Sequence, residues 1–115
     1  MGIFRRIFST DFRRAVAAEA EGDYLTAARC FALCGETEKV VDMHLALARQ
    51  ADGEDHRARE LRLALHFAGD DDRRRPMVLR MLAEALMEQG QSRGVETQAG
   101  RQRLEEAAAL LEEGE

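Results

Sequence analysis

The 115-residue chain is 45% apolar and 34% charged, with a net charge of −5 at pH 7. That length is enough for one domain with a real core, and the acidic balance argues against nucleic-acid binding. No apolar stretch approaches the ~20 residues needed to cross a bilayer, and the first residues lack the long apolar run of a secretory signal.

Ala, Leu, Arg and Glu dominate, and all are good helix formers. Aromatic residues are only 5%, with no Trp. Alternating β-branched runs with hairpin turns are absent, which points to an all-α fold. Two Cys without a disulfide pattern suit a reducing, cytoplasmic setting. Sixteen Arg against one Lys suggest a GC-rich, bacterial genome. Charge is uneven along the chain. Arg5, Arg6, Arg13 and Arg14 cluster near the start, and Glu105, Glu106, Glu112, Glu113 and Glu115 near the end.

Residues 1–9 form an amphipathic N-terminal segment. On a helix, Ile3, Phe4, Ile7 and Phe8 share one side, with Arg5 and Arg6 off it. Such a stripe can cap the neighbouring helices, dock on a partner or lie on an anionic membrane surface. Gly2 lacks the Ser or Thr four residues on that myristoylation requires, since Arg6 stands there.

Residues 10–113 read as a single domain of six antiparallel helices. The first is predicted over about 10–21, and the turn Gly22-Asp23-Tyr24 leads to a second over about 24–34. Gly35 suits the left-handed residue that closes a helix, and Thr37 can cap a third helix, about 38–51. That helix has two apolar stripes, Val41/Leu45/Ala48 and Val40/Met43/Leu47, so it is expected to be central. Gly53-Glu54-Asp55 is the next turn, with Asp55 as cap of a fourth helix, about 56–68. The fifth, about 73–89, begins near Pro76, where a missing N–H costs least, and Gly90-Gln91-Ser92 is expected to turn the chain. The sixth, about 95–112, buries Leu104, Ala107, Ala108 and Leu111 at helical spacing.

The turn glycines Gly22, Gly53 and Gly90 are 31 and 37 residues apart. Helical hairpins recurring at such a period must stack to bury their faces. The segment from Gly22 to Phe31, with Tyr24, Ala27 and Phe31 at bend, close-packing and gap-filling positions, resembles the tetratricopeptide repeat family. The segment from Leu82 to Gly90 resembles the first helix of its ~34-residue unit. The family's Trp and Pro positions are not filled. The resemblance implies three stacked hairpins, about 10–34, 38–68 and 73–112, in a right-handed superhelix; a closed helical bundle is the alternative.

By that resemblance the first helix of each hairpin lines a concave groove. The residues placed there are Phe12, Val16 and Glu19, then Met43, Leu47 and Gln50, then Arg80, Glu84 and Met87. Adaptable Met beside aliphatic and charged groups suits a peptide or helix of another protein. The competing reading makes Met43 and Leu47 core. The implied function is a non-enzymatic adaptor or scaffold. The alternative is a subunit of a larger assembly or a homo-oligomer, docked through its N-terminal stripe, with a membrane-peripheral protein as a variant of that reading.

Other candidate chemistry is sparse. Cys30 and Cys34 share a helix face that His44 could approach, but structural zinc needs a fourth ligand, so buried packing is the simpler reading and no metal is assigned. His44 lies on a core stripe and is expected to be hydrogen-bonded. Asp70-Asp71-Asp72-Arg73-Arg74-Arg75 lacks calcium-loop spacing and reads as acids and arginines pairing at a helix start. No phosphate loop, nucleophile elbow or His-Glu-x-x-His appears, so neither catalytic residues nor a cofactor are expected.

Overall fold

A computed structural model describes residues 10–114. The described chain is six helices: α1 Thr10–Ala20, α2 Tyr24–Leu33, α3 Thr37–Gln50, α4 Glu54–Ala68, α5 Arg75–Arg93 and α6 Gln98–Glu113. Among the described residues there is no strand. The expected all-α fold is therefore present, and the N-terminal stripe of Ile3, Phe4, Ile7 and Phe8 lies outside the described residues.

Every extensive helix contact joins chain neighbours, from α1 on α2 through to α5 on α6. The principal extents are 54 × 28 × 17 Å, with a radius of gyration of 16.2 Å. A compact chain of this length would have a radius near ~13 Å. The helices thus form an open row, and the closed bundle does not describe them.

Short loops set this arrangement, because they force consecutive helices to lie antiparallel. Gly22 (φ 80°) and Gly35 (φ 75°) occupy the left-handed region that closes α1 and α2. After Gly22, Asp23 N–H donates to Ala18 O at 2.9 Å; after Gly35, Glu36 N–H donates to Phe31 O at 2.9 Å. These are the six-to-one bonds of a Schellman end. The Asp23 carboxylate then accepts from Thr26 N–H at 3.2 Å and caps α2.

Three expected boundaries differ. Asp55 does not cap α4: Gly53 stands at that position, and Asp55 is a first-turn residue. Glu36 rather than Thr37 precedes α3, and Thr37 is its first helical residue. The largest difference is at Gly90, which is buried inside α5 rather than turning the chain. A Cβ there would stand 2.8 Å from Leu104 Cγ, and one on Gly100 would collide with Gly94 O. Both glycines let α5 and α6 approach closely. The turn falls instead at Gly94 (φ 94°), where Thr97 Oγ1 accepts from Gly100 N–H at 3.0 Å and donates to Gly94 O at 2.8 Å. The hairpin turns at Gly22, Gly53 and Gly94 are then 31 and 41 residues apart, further from a regular period than the sequence suggested.

The core has two parts. One gathers Ala15, Ala18, Ala27, Phe31, Val40 and Met43 from α1, α2 and α3. The other gathers Val41, Leu45, Leu61, Ala64, Val78, Leu82, Leu86 and Ala107 from α3 to α6. Helix α3 supplies both, Val40 and Met43 to the first and Val41, Leu45 and Ala48 to the second, as its two stripes require. Phe67 of α4 packs against both parts. In α6 the inward residues are Gly100, Leu104, Ala107 and Leu110, while Ala108 and Leu111 face out. The buried side of α6 thus runs through Gly100 and Leu110 in place of Ala108 and Leu111.

Candidate functional site

Alternate helices touch through charge rather than core. Lys39 Nζ on α3 donates to Glu19 of α1 at 3.2 Å, and the ammonium also lies 5.3 Å from the Phe31 ring centroid. Arg74, just before α5, pairs with Asp42 of α3 and with Asp72 at 2.9 Å. On the other side of the row, Arg62 of α4 grips Glu106 of α6 with two bonds, at 2.6 and 3.0 Å. The hydrogen bonds from Arg74 and Arg62 hold the Asp72 and Glu106 carboxyls below their ordinary range. Planar two-bond pairing of this kind fixes orientation as well as spacing. The Asp70–Arg75 run therefore pairs at a helix start, as its sequence suggests, with Arg75 reaching Glu113 at 2.8 Å.

The face of α1, α3 and α5 carries most of the residues assigned to a groove. Phe12 is half-buried, its ring edge-on to Phe31 at 6.0 Å. Val16 is 46% exposed. Glu19 and Leu47 are half-buried, Gln50, Arg80 and Glu84 are exposed, and Met87 is half-buried against the larger core. Met43 is different. It is 3% exposed and belongs to the smaller core, so it cannot line an open face. The reason is its stripe: with Val40 it points under α1 and α2. Met77, 37% exposed, and the half-buried Met81 lie on the same side of α5 as Arg80 and Glu84. Neither was assigned to the groove from sequence, although both lie on an apolar stripe of this helix and their i, i+4 spacing beside Arg80 and Glu84 carried the signal.

The row also contains shallow hollows. One of about 320 Å³ lies between the ends of α5 and α6, lined by Pro76, Leu79, Leu110 and Leu111 with Arg80 at its edge. Another of about 330 Å³ is polar, lined by Glu38, Asp42, Asp71, Asp72, Arg73 and Arg74. Two of its carboxylates, Asp42 and Asp72, are engaged by Arg74.

The cysteines and histidines do not converge. Cys30 is buried. The half-buried Cys34 donates its S–H to Phe31 O at 3.4 Å, and burial pushes its thiol above the ordinary value. His44 faces Glu60 of α4, with Nδ1 to Oε1 at 3.1 Å, and its ring stacks on Phe67 at 5.8 Å. Among the described residues no three potential metal ligands form a group. Glu60 was missed because it sits between Arg59 and Leu61 in a polar-looking stretch; the signal was His44, which needs a buried partner. Gln89 is similar, 6% exposed, with Nε2 donating to Asp55 Oδ1 at 2.6 Å and tying α5 to the start of α4.

No helix among the described residues is long and apolar enough to cross a membrane. The chain matches no family model, no curated protein and no solved structure.

Proposed function

We propose that the chain is a non-enzymatic adaptor that binds a helix or extended segment of another protein along α1, α3 and α5. The observation that carries this reading is the open row itself. Its extensive helix contacts all join chain neighbours, so no other described helix packs across α1, α3 and α5. On that side Val16 and Met77 are exposed apolar groups, with Arg80 and Glu84 exposed beside them. Apolar contacts supply affinity and the flanking charges set register, the division of labour found when a helix lies in a groove. Stacked hairpins akin to tetratricopeptide repeats support the same reading. The protein acts in the cytoplasm of a bacterial cell, where its reduced cysteines persist.

Affinity capture from native extract tests this. Wild type is compared with a Val16→Asp/Arg80→Glu/Glu84→Arg variant, whose changes are all at exposed positions. A protein held by wild type and lost by the folded variant supports the adaptor. An identical captured set for both overturns it.

A further inference from the structure

The opposite side of the row has its own chemistry, independent of the proposed groove. Helix α2, from Tyr24 to Leu33, contains no Asp or Glu, and its only charge is Arg29. It exposes Leu25 at 46% and Leu33 at 71%, the latter the most exposed large apolar residue described. Helix α4 continues the pattern. Arg59 and Leu63 are exposed on one stripe, whereas the acid between them, Glu60, is buried on His44. A molecule with net charge −5 therefore holds exposed leucines and arginines on α2 and α4, and the exposed acid at the start of α4, Asp55, is engaged by Arg93 and Gln89.

The matching surface is on the same chain. Helix α6 packs on α5 and is tied to α4 through Arg62 and Glu106, and its outer stripe exposes Glu105, Ala108, Ala109 and Glu112. Glu105 and Glu112 lie seven residues apart, about 10 Å along a helix, with small alanines between them that permit close approach. Arg29, Arg59, Glu105 and Glu112 have no ion-pair partner among the described residues. Within one molecule the two faces belong to different helices and do not meet.

We propose that α6 of one copy docks on the α2/α4 face of a second copy, its glutamates meeting Arg29 and Arg59 and its alanines covering Leu33 and Leu63. The contact joins two different surfaces, so it is head-to-tail and leaves both end surfaces free to continue. Its charge pairs lie near solvent and weaken with salt.

Sedimentation velocity across a concentration series tests the pairing with the full chain. Wild type is expected to rise above its 12.9 kDa mass as concentration increases, and to fall back as NaCl is raised. Arg29→Glu/Arg59→Glu should be monomeric, and so should Glu105→Arg/Glu112→Arg. An equimolar mixture of the two should associate again, because the intact basic face meets the intact acidic helix and the two reversed surfaces also match in charge. If either charge reversal loses its helical circular dichroism, the neutral variants Arg29→Gln/Arg59→Gln and Glu105→Gln/Glu112→Gln take its place. Each neutral variant is then expected to weaken association at least tenfold. A monomeric wild type at every concentration overturns the proposal, as does association unchanged by these variants. A monomer that sediments with phosphatidylglycerol vesicles through Arg29 and Arg59 also overturns it, and gives the face to an anionic bilayer instead.

Discussion

His44 Nδ1 stands 3.1 Å from Glu60 Oε1, and both side chains are more than nine-tenths buried. This contact joins α3 to α4 where the Phe67 ring stacks on the imidazole and reaches both halves of the core. Leaving one buried polar group unpaired costs ~1–3 kcal/mol, whereas replacing both by apolar groups of similar shape is close to neutral. Glu60→Ala and His44→Ala are each expected to lower stability by about that amount in urea unfolding. His44→Leu/Glu60→Met should recover most of the loss. A double variant as unstable as the sum of the singles would show that the two groups act separately.

Gly100→Ala separates propensity from packing. In a free helix the change gains up to ~1 kcal/mol. Here the added Cβ meets the Gly94 carbonyl, which is backbone and cannot move aside. Crowding of this kind costs ~1–3 kcal/mol, so the variant should unfold at lower temperature. Gly90→Ala is expected to act in the same direction through Leu104 and the Gly100 carbonyl. A stabilised Gly100→Ala variant would contradict the close approach of α5 and α6.

Acid should loosen the row from its charged clasps. Asp72 and Glu106 are held below their ordinary values of 3.8 and 4.5 by Arg74 and Arg62. A depressed carboxyl contributes stability that is present above its unfolded value and is lost as pH falls through the folded one. The loss therefore falls below about pH 4. Arg62 is 44% exposed, so solvent screening limits the Glu106 share to ~0.2–1 kcal/mol. Glu106→Gln should flatten the acid limb of a stability-against-pH curve and leave the neutral plateau lower by that small amount.

The thiols should be slow to react. Burial raises the Cys34 pKa above 9.0 and keeps the weakly nucleophilic thiol form at neutral pH. Cys30 is buried outright. Alkylation by iodoacetamide is expected to be much slower in the native protein than in urea. Equal rates would mean that α2 opens freely from α1 and α3.

The elements were legible where local chemistry decides them. Gly35 closes α2 because the Schellman end needs a positive φ, and the two stripes of α3 place it between two halves of the core. Gly90 was misread because a packing glycine and a turn glycine look alike in one dimension. Only Leu104 and Gly100, on the next helix, distinguish them. Met43 was misplaced for a related reason: both stripes of α3 are apolar, and what covers each is a tertiary fact. Glu60 was hidden because its burial depends on His44, sixteen residues away. Val16, Arg80 and Glu84, placed by resemblance, are exposed as an open face requires.

The most direct test of the adaptor reading follows the methionine methyl groups by NMR while the captured partner segment is titrated in. Met77, Met81 and Met87 lie on the α5 side of the face, and Met43 is sealed in the smaller core. Shifts at Met77, Met81 and Met87 with Met43 nearly still are the expected result. Binding that leaves all three α5 methionines unmoved would contradict the account.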